Sequence, residues 1–386
     1  LDTAYFKELE KLSLNSQGRG GFKIAYSPIH GTGIYAVPQA LKRFGFDNII
    51  IVPEQREPNG NFPTVKSPNP EDPDAMEMVL ELAKKENADL VIATDPDTDR
   101  IAVITKEEKD FVWFNGNQLG CLLIDYVLGS LKRANALPSD ATIIKTIVTT
   151  ELQDLIAEHY GVDSTNTLTG FKWICDLIER YETGEIKPYR NFICGGEESY
   201  GFLMGKFVRD KDAIIASCIA AEMTAWHKSE GRTLSQALDA IFARHGVYHE
   251  RLHTLTLQGK EGADKIQEIM TAIRKNPPHI VGDHAVICFL DILTGEYKEL
   301  GADGFKTAAK LGLPSSNVLQ FYLKDNIKVS VRPSGTEPKI KFYISAHASS
   351  LGKTGHDLAP IKKQVEELTK EVENDFISLA KLLGNA

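Results

Sequence analysis

Three aspartates at alternate positions follow an apolar segment in the first part of the chain. Asp95, Asp97 and Asp99 end the run Leu-Val-Ile-Ala-Thr-Asp-Pro-Asp-Thr-Asp, and Arg100 comes directly after them. Side chains at alternate positions of an extended segment point the same way, so we expect the three carboxylates to converge. Carboxylates this close repel one another unless a hard cation compensates their charge. The pattern therefore predicts a Mg2+ site and a reaction that involves phosphate.

Other kinds of acidic loop fit this segment less well. An EF-hand also begins with acids at its first, third and fifth positions, but it requires Gly and Glu where this chain has Arg100 and Lys106. A phosphatase with an aspartate nucleophile could place Asp95 and Asp97 after a strand, but it gives Asp99 and Arg100 no role. A solvated acidic turn is the third alternative. The apolar strand in front of the loop favours the metal site.

Two further polar segments lie between apolar stretches. In residues 195–201, Glu197 and Ser199 would suit the vicinal hydroxyls of a sugar, although acids that cap a helix N-terminus are an equal alternative. Residues 332–338 combine an arginine, hydroxyls and a glycine, which suits a phosphate anion better than a plain hairpin turn does. The candidate phosphate ligands are Arg332, Ser334, Gly335, Thr336 and Lys341.

Lys211, Thr169 and Gly170 are candidates with strong alternatives. Lys211 lies beside acids in Arg-Asp-Lys-Asp, but most lysines are solvated surface charges. Thr169 and Gly170 form a tight turn that could be merely structural.

Strands and helices that alternate along the chain must position these loops. Apolar strands are predicted at 23–26, 48–52, 88–94, 141–146, 251–257, 285–291, 327–331 and 340–345. Helices are predicted at about 3–13, after the turn at 30–33 to about 44, and at about 74–86, 150–159, 212–228, 233–244, 261–275 and 359–383. This alternation is typical of βαβ units, whose ligands lie at the carboxyl ends of parallel strands.

We therefore predict an α/β fold with two doubly wound, mixed or parallel α/β domains and a smaller α+β C-terminal domain. The metal-binding domain spans 1–137 and includes an N-terminal linker helix. The sugar-binding domain spans 138–247, and the phosphate-binding domain spans 248–386.

Composition excludes several classes of partner. A net charge of -9 argues against a nucleic-acid surface, and no apolar stretch is long enough to cross a membrane. The five cysteines are odd in number and lie mostly in apolar segments, which favours reduced core residues in a cytoplasmic protein. The sequence makes no prediction of the oligomeric state.

In this order, the three loops resemble those of the α-D-phosphohexomutase superfamily, which includes phosphoglucomutases, phosphomannomutases and their aminosugar relatives. Residues 95–100 resemble its metal loop, 196–201 its sugar-recognition loop and 332–336 its phosphate-binding loop. The form Glu-Glu-Ser-Tyr-Gly is most similar to the phosphoglucomutase branch, including types that also accept mannose or pentose phosphates. Other branches often carry His in place of Gly201.

The resemblance implies an intramolecular phosphotransferase that interconverts hexose 1-phosphate and hexose 6-phosphate through a bisphosphate. It implies Mg2+ on the three aspartates and catalytic roles for Arg100 and Lys211. The implied substrate ligands are Thr169, Gly170, Glu197, Ser199, Arg332, Ser334, Gly335, Thr336 and Lys341.

The resemblance also implies a further domain. The family's first domain supplies a phosphoserine, and no such motif occurs in this sequence. We therefore expect the chain to begin at the linker into the second domain, to be inactive alone and to require that domain as a partner. Two other functions stay open, namely a metal- and sugar-phosphate-binding module without catalysis and a phosphatase with Asp95 as its nucleophile.

Overall fold

Each of the predicted loops belongs to a β-sheet of its own. The computed structural model describes residues 2–108, 110–334 and 338–385. The chain divides into two compact units, Leu1–Ile241 and Phe242–Ala386. The first unit carries two sheets and the second unit carries a larger, antiparallel one. The predicted fold class is confirmed, whereas the three domains with boundaries after residues 137 and 247 stay a prediction.

The first sheet places the three aspartates at the carboxyl end of a buried strand. Its strands are β1 (Lys23–Ser27), β2 (Asn48–Ile51), β3 (Leu90–Thr94), β4 (Ile101–Glu107) and β5 (Asp110–Phe114). They lie in the order β2-β1-β3-β4-β5, with β1 parallel to β2 and β3 and with β4 and β5 antiparallel. All residues of β3 are buried, as expected for an apolar strand in the middle of a sheet that helices cover.

The second sheet lies in the same unit. Its strands are β6 (Ala141–Thr146), β7 (Asp163–Thr167), β8 (Asn191–Glu197) and β9 (Gly201–Met204), in the order β7-β6-β8-β9. Strand β6 is parallel to β7 and β8, and β9 is antiparallel to β8. The helices of this part of the chain are α1 (Asp2–Glu10), α2 (Gly33–Arg43), α3 (Pro73–Glu86), α4 (Gly116–Arg133), α5 (Leu152–Tyr160), α6 (Phe171–Glu182), α7 (Ala213–Ser229) and α8 (Leu234–His245).

The second unit is a mainly antiparallel sheet with helices on one face. Its strands are β10 (Val247–Thr256), β11 (Ile280–Val281), β12 (His284–Asp291), β13 (Glu296–Gly301), β14 (Gly304–Lys310), β15 (Leu319–Leu323), β16 (Ile327–Pro333) and β17 (Lys339–Ala348). The order is β10-β17-β16-β15-β12-β13-β14, and β11 pairs with β12. Helices α9 (Gly259–Lys275) and α10 (Ala359–Asn385) cover one face with a shared apolar core. The helix predicted at about 359–383 is α10.

Several helices and strands of the structure were not predicted from the sequence. Helices α4 and α6 and the antiparallel strands β4 and β5 were not predicted, because their apolar residues are spread over short or nearly continuous runs. The five cysteines are free and buried, as predicted for core residues. Among the helices that the structure describes, none combines the length and the apolarity required to cross a membrane.

A buried glutamate on α7 binds the segment that follows α1 and also contacts α4. Glu222 on α7 is fully buried and accepts hydrogen bonds from the backbone N–H groups of Leu14 (2.9 Å) and Asn15 (3.0 Å) and from the Tyr126 hydroxyl (2.8 Å). The Arg19 guanidinium forms an ion pair with the same carboxylate. Both oxygens of this buried carboxylate therefore have donors.

We expect Glu222→Gln to lower the free energy of unfolding by about 3 kcal/mol, because the buried Arg19 loses its counter-charge. Urea unfolding followed by circular dichroism measures this change. The matched control is Glu8→Gln, which breaks the exposed ion pair with Lys11 and should change stability by less than about 0.5 kcal/mol. Equal, small effects of both substitutions would contradict the role of Glu222.

Candidate metal and sugar-phosphate site

The three aspartates do converge, but through a turn rather than through extended backbone. One carboxylate oxygen from each of Asp95, Asp97 and Asp99 lies within 4.8 Å of the others. Thr98 adopts a positive φ of 63°, so the expected alternation along an extended segment is wrong. Oδ1 of Asp95 accepts the backbone N–H groups of Asp99 (3.0 Å) and Arg100 (2.9 Å), which closes the turn.

The negative charge of this loop is only partly compensated by protein cations. Nζ of Lys211 lies 2.8 Å from Oδ2 of Asp99, whereas Arg100 forms its closest ion pair with Glu71, at 2.8 Å. Burial, followed by the charges of the other two aspartates, raises the pKa of Asp95 to about 7. Oδ1 of Asp99 is buried without a hydrogen-bond partner. A carboxylate set with an excess of charge and a buried oxygen that accepts no hydrogen bond fits a hard divalent cation.

Lys211 is not a solvated surface lysine. Its side chain is only 14% exposed, and its ammonium lies 5.6 Å from the centre of the Phe171 ring. A Cβ at Gly201 would lie 2.4 Å from Cδ of Lys211, so the glycine makes room for the lysine stem. This explains why Gly stands at position 201 in a chain whose Lys211 contacts the metal loop. The sequence alone assigned no role to Phe171.

The segment with adjacent glutamates is a β-hairpin and does not itself begin a helix. Glu197 ends β8 and Gly201 begins β9. Oε1 of Glu197 accepts the backbone N–H of Gly170 (2.8 Å), the residue that precedes α6. The Tyr200 carbonyl accepts the N–H of Ile101 at 3.1 Å, which attaches the hairpin to β4 directly after the metal loop.

The predicted sugar ligands therefore border the metal loop within the first unit. Burial, followed by the neighbouring Glu198 charge, raises the pKa of Glu197, while Lys211 and Arg100 lower it. Those two cations thus act electrostatically on both loops. Thr169 and Ser199 are half-buried beside Gly170 and Glu197 in the sequence. Glu198 lacks a distinguishing signal in the sequence, and its Oε2 accepts the hydroxyl of Thr146 at 3.3 Å.

The predicted phosphate ligands belong to the second unit. Arg332 on β16 and Lys341 on β17 are direct neighbours in the strand register. Since Val331 and Phe342 alternate with them and lie in the core, both cations are on the face opposite the helices. The N–H of Ser334 donates to the Lys339 carbonyl at 2.7 Å. Gly335 and Thr336 lie outside the described residues.

Comparison with known proteins assigns the first unit to a family. The phosphoglucomutase/phosphomannomutase alpha/beta/alpha domain II matches residues 3–108, and domain III of the same family matches residues 115–245. The chain belongs to this family, the α-D-phosphohexomutases. A phosphoglucomutase of Staphylococcus epidermidis is 36% identical over 342 residues, which is 88% of this chain and 60% of that protein. A phosphoglucomutase of Staphylococcus aureus is 35% identical over 88% of this chain and 59% of its own length.

Solved structures of phosphohexomutases share the fold. A putative phosphomannomutase from Thermus thermophilus aligns with 99% of this chain and 66% of its own length, with a TM-score of 0.63 and 19% identity. The open form of the Paramecium phosphoglucomutase parafusin aligns with 96% of this chain and 61% of its own, with a TM-score of 0.61 and 17% identity. The chain thus spans about 60% of the length of the curated relatives.

We expect Asp95→Asn to have effects of opposite sign without and with Mg2+. The amide oxygen can still accept the two backbone N–H groups, but the buried charge is removed. A raised pKa in the folded state means that the wild type loses stability as the pH rises from 3.8 to about 7. At pH 7.5 without metal, the variant should therefore be more stable by about 2 kcal/mol.

Added Mg2+ should stabilise the wild type but not this variant, since the ion loses one of its three carboxylates. Thermal unfolding with EDTA and with Mg2+ measures both effects. A Mg2+-dependent shift of the same size in both proteins would argue against the aspartate site.

Gly201→Ala should disturb the contact between Lys211 and Asp99. The lysine stem must move to admit the methyl group, which we expect to destabilise the protein by about 1–2 kcal/mol. In a Lys211→Ala background the same change should be nearly neutral, because the obstacle is gone. Gly60→Ala, where a Cβ meets nothing within 4 Å, is the control. Additive effects in the double-mutant cycle would contradict the packing argument.

Proposed function

We propose that this chain forms the metal-, sugar- and phosphate-binding part of a hexose phosphate mutase. In this proposal, the protein interconverts hexose 1-phosphate and hexose 6-phosphate, with glucose as the preferred sugar and mannose as a second substrate. The observation that carries the proposal is the cluster in the first unit, where three converging carboxylates, Lys211 and the anchored Glu197 lie together. Family membership supports the same reaction.

The proposed chemistry is a phosphoryl relay. A phosphoserine, supplied by a further domain as the family resemblance implies, transfers its group to a free hydroxyl of the hexose phosphate. The O–P bond to the serine breaks as the new O–P bond to the sugar forms, and the freed serine oxygen takes up a proton as the sugar hydroxyl loses one. The bisphosphate then turns around and returns its other phosphoryl group to the serine. Mg2+ on Asp95, Asp97 and Asp99 would offset negative charge that builds up on the transferring group.

Each substrate-binding residue has a distinct part in this proposal. Glu197 and Ser199 would accept and donate hydrogen bonds to sugar hydroxyls, and the turn at Thr169 and Gly170 would border the same ring. The phosphate that does not react would be held by Arg332, Ser334, Gly335, Thr336 and Lys341. Binding energy at that distant phosphate would then position the reacting end.

Arg100 and Lys211 would stabilise the transferring phosphoryl group. Burial lowers the pKa of Lys211, but the hydrogen bond and charge of Asp99 outweigh this effect and raise it. A lysine held in its charged form is suited to donate a hydrogen bond to a phosphate or sugar oxygen. Proton transfer by Lys211 would first require its release from Asp99.

The phosphatase alternative has less support from the geometry. Oδ1 of Asp95 accepts two backbone N–H groups, which makes this oxygen a poorer nucleophile. A binding module without catalysis shares every feature of the site except the phosphoserine. These alternatives are separated by testing the chain with and without a serine donor.

The decisive experiment joins this chain to a phosphoserine-bearing first domain of a relative, either covalently or by mixing. With Mg2+, glucose 1-phosphate and a trace of glucose 1,6-bisphosphate, a coupled dehydrogenase assay should detect glucose 6-phosphate. The control carries alanine in place of the donor serine and should be inactive. We expect Lys211→Met in the complete protein to lower kcat at least about tenfold. Phosphate release by this chain alone, lost in Asp95→Asn, would instead support the phosphatase.

A further inference from the structure

A strained turn, residues 28–32, joins β1 to α2 beside the metal loop. We call it the elbow. Ile29 and His30 adopt positive φ values of 45° and 58°, although neither is glycine. This conformation is unfavourable for a β-branched residue such as isoleucine and persists only where the surroundings impose it. Ile29 is nevertheless completely buried.

Hydrogen bonds to the long loop after β2 fix the elbow in place. Oγ of Ser27 accepts the N–H of Ile29 at 3.0 Å and donates to Oε1 of Gln55 at 2.6 Å. The N–H of His30 donates to the Gln55 carbonyl at 3.0 Å, and Nε2 of His30 lies 2.8 Å from the Thr64 hydroxyl. These bonds fix both residues of unusual φ.

The elbow packs directly against the metal loop. A Cβ at Gly31 would lie 2.3 Å from Cα of Pro96, so only glycine allows this approach. The N–H of Thr32 donates to the Pro96 carbonyl at 2.8 Å, and its hydroxyl donates to the same oxygen at 3.0 Å. The Thr32 hydroxyl also lies 3.1 Å from the Thr98 hydroxyl.

Thr32 does not use its side chain as an ordinary helix cap. It occupies the position before α2, where a threonine hydroxyl usually accepts a backbone N–H of the first turn. Here the side chain makes no capping hydrogen bond. Its hydroxyl donates to the metal loop instead, so the first turn of α2 lacks a side-chain cap from Thr32.

Asp97 is the aspartate whose placement depends most on this contact. Asp95 is fixed by two backbone N–H groups, and Asp99 is fixed by Lys211. Asp97 is exposed, and its carboxylate accepts no hydrogen bond from the residues that the structure describes. Its position is therefore set by its two neighbours in the chain, and Thr32 contacts both.

We infer that Thr32 is a positioning residue for the metal site. Through its contacts with Pro96 and Thr98, Thr32 holds Asp97 at the distance that the cation requires. The inference rests on the metal site of the proposed function but not on the sugar or on the serine donor. Partners that orient metal ligands typically contribute tenfold or more to metal affinity.

Thr32→Val tests this inference, because valine keeps the size and the backbone N–H but loses the hydroxyl. Titration with Mn2+, followed by electron paramagnetic resonance, should show a dissociation constant about tenfold higher than in the wild type. The melting temperature in EDTA should change little, since no helix cap is lost. Thr32→Ser should restore the affinity. Thr224→Val, which removes a buried hydroxyl bond within α7, should leave the affinity unchanged.

Three outcomes would overturn the inference. The first is an unchanged dissociation constant in Thr32→Val. The second is a loss of affinity that accompanies an equal loss of stability and that serine does not restore, which would indicate general unfolding. The third is a wild type that binds no Mn2+, which would remove the metal site itself. Metal binding that depends on Thr32 in a protein without mutase activity would instead count only against the proposed function.

Discussion

The mutual repulsion of three carboxylates at the end of one buried strand is the constraint on which the site depends. A strand as apolar as β3 offers these groups no favourable surroundings, so each charge requires a partner from elsewhere. Backbone N–H groups serve Asp95, and the ammonium of Lys211 serves Asp99. The rest of their negative charge is uncompensated, and it favours the binding of a divalent cation. Pre-arranged ligands of this kind reduce the conformational change required when the ion binds.

Much of the second sheet can be understood as support for this one loop. The fixed hairpin that begins at Glu197 and the absence of a side chain at Gly201 leave a channel through which the lysine stem passes. The ring of Phe171 lies beneath the ammonium and keeps water from one side of it. A single ion pair thus depends on three elements that are distant in the sequence.

The candidate motifs that the sequence could indicate are local. The three aspartates, the adjacent glutamates and the loop that begins at Arg332 are contiguous motifs, so the prediction of their chemistry rests on their residue types alone. The contacts that set their geometry are not local. Nothing near Thr32 in the sequence shows that its hydroxyl reaches Pro96, and nothing near Glu71 shows that it pairs with Arg100. The turn at Thr98 was missed for a similar reason, since threonine rarely adopts a positive φ unless tertiary contacts impose it.

The first unit has two halves, one with the first sheet and one with the second sheet. Beside the three aspartates, two backbone hydrogen bonds connect these halves. The amide of Ala213 donates to the carbonyl of Thr98, and the amide of Ile101 donates to the carbonyl of Tyr200, each at 3.1 Å. Neither bond belongs to a strand ladder or a helix. The exchange of these two amide protons with deuterium therefore reports directly on separation of the two halves, independently of global unfolding. They provide a spectroscopic measure of how rigidly the metal loop and the Glu197 hairpin are held against each other.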